Sequence, residues 1–221
     1  MRPVTAWMAV ACLYLVAPPC GGAQEITVGV KGGLNSSSLS VSSQEDPDLG
    51  FESQTDFRIG AFVQFALGSK LAIQPEVHYS REGARSRGTE PAVTLNLDYF
   101  EIPLLIMARL SSRESPMYPI LYAGPSVAFE TRCGVSGEQG GASVSFDCDD
   151  PEFDGALQTK STDFRLVFGG GFEILLNRLT IQLDARYRLG LTNLNAAEDA
   201  TDVSVKSAGW SFMLGLGVPI G

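Results

Sequence analysis

The segment Leu179-Thr180-Ile181-Gln182-Leu183-Asp184-Ala185-Arg186-Tyr187-Arg188-Leu189 alternates between apolar and polar residues at every position. Successive side chains on a β-strand point to opposite faces, so this segment predicts a strand with one apolar face and one largely ionic face. The same alternation recurs up to the last residues of the chain. It is typical of a membrane barrel, because the outer face of such a barrel contacts lipid while its inner face is polar.

The first 23 residues have the features of a cleaved signal peptide. Arg2 supplies a positive charge, residues 6–16 are mostly apolar, and the small residues Gly21-Gly22-Ala23 precede Gln24. We therefore predict a signal peptide over residues 1–23 and one barrel domain over residues 24–221. A short membrane anchor is the less favoured alternative, because the apolar run is too short to span a bilayer.

Eight strands are predicted, and their connections are short and long in turn. The strands lie near residues 26–35, 57–67, 71–79, 94–110, 119–131, 160–174, 179–189 and 207–220. The long polar connections are residues 36–56, 80–93, 132–159 and 190–206. In outer-membrane barrels the short turns face the periplasm and the long loops face outward. The pattern therefore predicts an all-β fold, an eight-stranded antiparallel up-and-down transmembrane barrel with both termini in the periplasm.

In the fourth predicted strand the apolar residues change from odd-numbered to even-numbered positions. Leu97 and Tyr99 lie on one parity, whereas Phe100 and Ile102 lie on the other. A β-bulge near Tyr99-Phe100 would restore the outward apolar face and turn Glu101 inward.

Six aromatic residues suit either aromatic girdles at the two membrane surfaces or ordinary packing between strands. The sequence leaves both interpretations open. They are Tyr79, Tyr99, Tyr118, Tyr122, Tyr187 and Trp210.

Charged side chains are predicted to project into the barrel. The strand parities place nine of them there: Arg58, Glu76, Glu101, Arg109, Arg165, Glu173, Asp184, Arg186 and Arg188. Side chains nearly fill the interior of an eight-stranded barrel, and buried charges need partners. We favour a salt-bridge network that makes the barrel rigid, and an ion or proton path is the alternative.

The hairpin after the sixth predicted strand allows a register prediction. If residues 175–178 form its loop, Arg165 lies opposite Arg188. Like charges that face each other need a carboxylate between them. The candidates are Asp163, Glu76 and Glu101.

Two cysteines, Cys133 and Cys148, remain after cleavage of the predicted signal peptide. They lie in one loop of an exported chain, which favours a disulfide over two free thiols. Neither the cysteines nor the acidic loop residues have the spacing of a zinc site or an EF-hand, so we expect no metal site and no cofactor. The formal net charge of −9 disfavours binding to nucleic acid.

Four segments together resemble the PorT-like outer-membrane β-barrel family of Gram-negative bacteria. The segments are Gly29-Val30-Lys31-Gly32-Gly33-Leu34-Asn35, Ile73-Gln74-Pro75-Glu76-Val77-His78-Tyr79-Ser80, Tyr99-Phe100-Glu101-Ile102-Pro103-Leu104-Leu105-Ile106 and Leu121-Tyr122-Ala123-Gly124-Pro125-Ser126. The resemblance covers essentially the whole mature chain. It implies an eight-stranded barrel in the outer membrane and does not imply a defined activity.

The predicted role is structural or surface-binding, through the four long loops. A narrow channel for small solutes is the alternative, although water-filled channels usually need about sixteen strands. A lipid-modifying barrel enzyme is less favoured; it would use His78 and Ser80, which share a strand face, with Glu76 or Glu82. We expect no enzymatic activity and a monomer. The expected partners are outer-membrane lipid and lipopolysaccharide, the outer-membrane assembly machinery, and an extracellular ligand at the loops.

Overall fold

The computed structural model describes residues 25–42, 51–86, 93–111, 116–139, 142–147, 161–192 and 204–220. Nine strands occupy these ranges: β1 (Ile26–Ser42), β2 (Phe51–Leu67), β3 (Leu71–Ser86), β4 (Val93–Arg109), β5 (Met117–Gln139), β6 (Ala142–Asp147), β7 (Thr162–Leu176), β8 (Leu179–Gly190) and β9 (Ser204–Ile220). None of the described residues forms a helix long and apolar enough to cross a membrane. The predicted signal peptide and Cys148 lie outside the described residues.

Eight of these strands close into an antiparallel barrel. Strands β1 to β4 pair in sequence, β5 pairs with β7, and β7 to β9 pair in sequence. Two further pairings, β1 with β9 and β4 with β5, complete the ring. The short strand β6 pairs with the end of β5 beyond the ring. A closed ring leaves no open sheet edge within the wall, which a barrel in lipid requires. The predicted fold class is therefore confirmed.

The alternation of the sequence produces an apolar outer surface. On β8 the side chains of Leu183 and Leu189 are exposed, whereas those of Asp184 and Arg186 are buried in the interior. Large apolar side chains stay exposed on every strand of the ring, and Phe212 of β9 is 62% exposed. A continuous apolar band of this kind is far larger than a water-soluble protein usually exposes, and it matches contact with lipid.

Five strands, β1, β2, β3, β5 and β9, extend three or more residues beyond their predicted bounds, and these extensions all lie at the same end of the barrel. We call this the loop end; the opposite turn end carries the tight turns at residues 68–70 and 177–178. At the loop end β3 continues to Ser86 and β5 to Gln139, well into two predicted loops. Outside a membrane both strand faces meet water, so the apolar–polar alternation on which the prediction depended disappears. Strand pairing itself continues there.

The predicted bulge at Tyr99-Phe100 was wrong. Residues 98–100 of β4 pair without interruption with β3. The irregularity lies between β4 and β5, where Asp98 pairs with Arg132 and Tyr99 with Glu130, so that Thr131 is the extra residue. Tyr99 simply points inward, with Leu97 and Ala128, into a small apolar cluster near the loop end. Apolar residues therefore occupy both faces of this part of β4.

The predicted register of the β7–β8 hairpin was also wrong. Leu176 pairs with Leu179, so the turn contains only Asn177 and Arg178, and Asn177 adopts a left-handed φ of 43°. Asn tolerates this conformation better than most residues, which permits the tight two-residue turn. As a result Arg165 pairs with Gly190 and does not face Arg188.

Three of the six predicted girdle aromatics lie inside the barrel. Tyr99, Tyr118 and Tyr122 are at most 4% exposed. The others, Tyr79, Tyr187 and Trp210, lie on the outer surface. There the ring of Tyr187 packs 5.4 Å from Phe168 and 5.1 Å from Trp210. The girdle interpretation is thus wrong for the three inward tyrosines.

Candidate functional site

The barrel interior contains the candidate site. All nine side chains predicted to lie in the lumen are buried there, each at most 5% exposed: Arg58, Glu76, Glu101, Arg109, Arg165, Glu173, Asp184, Arg186 and Arg188. Sequence reasoning did not place Lys31 and Glu82 in this set, and it named Asp163 only as a candidate partner. With these three added, six cations face six carboxylates among the described interior residues.

A middle cluster crosses the lumen between β1, β3 and β8. Lys31 Nζ lies 3.0 Å from Glu76 Oε1 and 2.9 Å from Asp184 Oδ2. Arg186 bridges the same two acids, with Nη1 2.6 Å from Glu76 Oε2 and Nε 3.2 Å from Asp184 Oδ1. Tyr122 donates its hydroxyl to Asp184 Oδ1 at 2.9 Å, and Arg186 lies over the Tyr122 ring. Two cations and two carboxylates therefore neutralise each other.

An upper cluster, nearer the loop end, joins three arginines to three acids. Arg58 donates to Glu101 at 2.7 Å, and Arg165 contacts Asp163 at 2.8 Å. Arg165 also donates through two guanidinium nitrogens to Glu82, at 2.9 and 3.2 Å. Two parallel bonds of this type are the strongest geometry available to an arginine–carboxylate pair.

Arg188 completes the upper cluster. It bonds to Glu82 and to the amide oxygen of Asn35. Its Nη1 also lies 3.6 Å from Glu101 Oε2, which Arg165 approaches to 3.4 Å. A carboxylate does therefore lie between Arg165 and Arg188, as the sequence predicted, although the two strands are not in the predicted register. Of the three predicted acids, Glu101 lies between them, Asp163 contacts Arg165 alone, and Glu76 belongs to the middle cluster.

A lower pair lies nearer the turn end. Arg109 Nε is 3.1 Å from Glu173 Oε2, and Arg109 Nη2 donates to Gln64 Oε1 at 2.9 Å. Gln64 donates to Gln74 at 3.1 Å, and Gln74 donates in turn to Glu76 at 2.6 Å. These amides connect the lower pair to the middle cluster, so hydrogen bonds run along much of the barrel axis.

Apolar side chains fill the interior beside the lower pair. Sequence reasoning did not anticipate this second component. The buried cluster contains Ala72, Leu105, Met107, Tyr118, Ile120, Tyr122 and Val167. Near the loop end, a cavity of about 10 Å³ between Ser37, Glu82 and Tyr99 has room for about one water molecule. The described interior is thus a packed core in which each charge cluster is neutral.

The esterase hypothesis required His78 and Ser80 to meet. His78 Nε2 instead lies 2.7 Å from Glu76 Oε2, and Ser80 donates to Glu82 Oε1 at 3.3 Å. Both side chains are fully buried. A nucleophile needs its base within hydrogen-bond reach and needs access to substrate, and this arrangement provides neither.

No metal site is formed by the part of the chain that the structure describes: no three His, Cys, Asp or Glu residues are suitably grouped. Cys133 lies half-buried on β5. Because Cys148 is not described, the disulfide stays a prediction.

The chain matches one known protein family over most of its length. The profile of the family described as "Outer membrane protein beta-barrel domain" matches residues 22–196. No curated protein matches the chain.

Several solved structures are similar to the chain at low sequence identity. The outer membrane protein OprG from Pseudomonas aeruginosa aligns over 90% of this chain and 96% of its own, with 13% identity and a TM-score of 0.53. Neisserial surface protein A aligns over 87% and 96%, with 16% identity and a TM-score of 0.47. Ail of Yersinia pestis, solved with the heparin analogue sucrose octasulfate, aligns over 88% and 99%, with 14% identity and a TM-score of 0.41. At such identities the likeness to OprG concerns the fold alone.

Proposed function

Because the chain belongs to the outer membrane protein beta-barrel domain family and lies in the bacterial outer membrane, we propose that it is a rigid, closed barrel whose extended loop end forms a binding surface outside the cell. The observation that carries the proposal is the neutral, packed interior. Six buried cations and six buried carboxylates occupy the described lumen beside the buried apolar cluster. The β-structure beyond the ring, above all the β5–β6 hairpin, is then the part available to a partner.

Surface display of that hairpin tests the proposal directly. An epitope replacing residues 140–141, between the end of β5 and the start of β6, should be stained by antibody on intact cells. A second epitope in place of Ser69, in the turn between β2 and β3, is the matched control and should be stained only after permeabilisation. The reverse pattern would show that the hairpin faces the periplasm and would overturn the proposed surface role.

Conductance distinguishes this role from that of a narrow channel. We expect the purified protein to give no steady single-channel conductance in a planar bilayer, because the side chains of each charge cluster fill the described lumen. A porin of about sixteen strands, measured in the same bilayer, serves as the positive control. Reproducible ohmic steps from this protein, absent from a mock preparation, would support the channel instead.

Within the family, we propose that the chain is of the PorT-like type. Support comes from the segment Tyr99–Ile106, whose parity directs Glu101 into the upper cluster and Ile102 toward lipid. A profile built only from PorT-like sequences should match residues 24–221 better than the general profile does. A poorer match would refute the narrower assignment.

A disulfide between Cys133 and Cys148 is proposed to tie the β5–β6 hairpin. In that hairpin Gly134 pairs with Asp147, and Val135 pairs with Phe146. One further step of the same register would bring position 148 opposite Cys133. Directly opposite residues of antiparallel strands are about 4.5–5.5 Å apart at Cα, which is within the range of a disulfide.

Thiol alkylation checks this proposal. Protein extracted without reductant should take up no alkylating reagent, and reduced protein should take up two equivalents after the predicted signal peptide is removed. The variant C133S/C148S should take up none in either state and should keep the barrel's heat-dependent gel mobility, since the hairpin lies beyond the ring. Alkylation of both cysteines without reduction would show that they are free thiols.

A further inference from the structure

Three charged residues form a row across the outer surface near the loop end. Arg81 of β3 is in register with Asp98 of β4, and Asp98 is in register with Arg132 of β5. Neighbouring strands are about 4.8 Å apart, so the two arginines flank Asp98 at a Cα separation of about 10 Å. Arg81 Nε donates to Asp98 Oδ1 at 3.0 Å, and the Arg81 side chain is 41% exposed.

An aromatic row lies directly below the charged row, toward the middle of the membrane. It consists of Tyr79, Phe100 and Phe129, which are in register with one another. They lie two residues from the charged row on β3 and β4, and three on β5 because Thr131 is the extra residue of the bulge. The Arg81 guanidinium lies 5.9 Å above the ring of Phe57, which in turn packs 6.0 Å from Tyr79. Aromatic belts mark the boundary between hydrocarbon and headgroups, so the charged row lies at headgroup level.

The charged row contains two arginines and one aspartate, so one of the arginines has no carboxylate partner within the row. Asp98 is paired with Arg81. Arg132 is exposed and makes no ion pair with any described residue. Glu130 lies on the other side of the bulge, in register with the inward Tyr99.

We propose that Arg81 and Arg132 together bind a phosphate group of an outer-leaflet lipid, the phosphorylated sugar headgroup of lipopolysaccharide. Guanidinium groups suit phosphate because their fork of N–H donors matches its oxygens. The inference uses the orientation proposed above, in which the loop end faces outward. Asp98 holds Arg81 in place over Phe57, so one arginine of the site is already ordered before lipid binds.

Lipid binding by the detergent-solubilised mature barrel tests the inference independently of orientation. Bisphosphorylated lipid A is titrated into the protein, and the lipid-bound fraction is read by native mass spectrometry. The variant R81Q/R132Q should bind at least about tenfold more weakly than wild type. The matched control is R178Q, which removes an exposed arginine from the turn at the opposite end. It should bind as wild type does.

Two further arms make the result decisive. Dephosphorylated lipid A should bind wild type no more tightly than bisphosphorylated lipid A binds the double variant. If R81Q/R132Q does not fold, R132Q alone serves, because it breaks no ion pair with a described residue; it should show a smaller but measurable loss. Equal binding by wild type and a folded variant, an equal loss in R178Q, or equal binding of dephosphorylated lipid would each overturn the proposal.

Discussion

Replacement of Arg186 by methionine should lower the free energy of unfolding by about 3–5 kcal/mol. Arg186 is fully buried and bridges Glu76 and Asp184. Without it, two carboxylates share the single positive charge of Lys31 in the middle cluster. The packed interior offers little water to solvate the excess negative charge, so its cost appears in the stability of the barrel.

A charge-neutral double variant separates loss of balance from loss of contacts. R186M/D184N removes one charge of each sign and leaves the pair between Lys31 and Glu76 intact. It should destabilise the barrel less than R186M alone, although it lacks more ionic contacts. R178M, at the exposed turn, is the control for loss of an arginine as such and should change stability by at most about 0.5 kcal/mol.

Urea unfolding in lipid vesicles provides the measurement. The sequence contains Trp7 and Trp210. After removal of the predicted signal peptide, Trp210 is the remaining tryptophan, and its side chain is half exposed on the lipid-facing surface. Its fluorescence therefore reports departure from the membrane. If R186M were no less stable than R186M/D184N, charge balance would not be what stabilises the interior.

The architecture could be predicted because alternation is a local signal that the membrane enforces on both faces of a strand. In β8 every residue from Leu179 to Leu189 obeys it, and the structure follows it without exception. The signal fails where the membrane ends. Glu82 was assigned to a loop because it lies past the last alternating residues of β3, yet it binds two arginines of the upper cluster.

Glycine and inward apolar residues account for two further errors. Lys31 has the inward parity of its strand, but Gly29, Gly32 and Gly33 around it interrupt the alternation that would have revealed it. The predicted bulge placed Tyr99 on the outward apolar face together with Leu97, whereas the Tyr99 ring lies under Arg165 at 4.5 Å inside the barrel. Hydrophobicity alone does not indicate the lipid-facing side when a narrow barrel has an apolar component in its core.

The pairing of charges across the lumen could not be read from the sequence at all. Alternation tells which residues point inward, but the partner of each depends on the register of every strand between them. The β7–β8 turn was predicted to contain four residues and contains two, Asn177 and Arg178. This difference alone changes the residue opposite Arg165 from Arg188 to Gly190. The acid between the two arginines was nevertheless predictable, because buried like charges require one wherever the register places them.

Gly33→Ala should destabilise the barrel by about 2 kcal/mol or more, because a methyl group at this position has no room. A Cβ on Gly33 would lie 2.0 Å from the carbonyl oxygen of Phe212 and 2.7 Å from the Cα of Met213. Both are backbone atoms of β9, so no side-chain rotation can relieve the clash. The clash would therefore separate β1 from β9, the first and last strands, whose pairing closes the ring.

The neighbouring Gly32 provides a matched control for this prediction. It faces lipid, and a Cβ there would meet no atom closer than the Arg58 carbonyl oxygen at 3.8 Å. Gly32→Ala should therefore be neutral or slightly stabilising, since alanine loses less backbone entropy than glycine on folding. Unfolding in vesicles and the heat-dependent gel mobility of refolded protein compare the two variants. Equal stability would mean that β1 and β9 can separate at Gly33 at little cost, and that close contact between these backbones is not what keeps the ring closed.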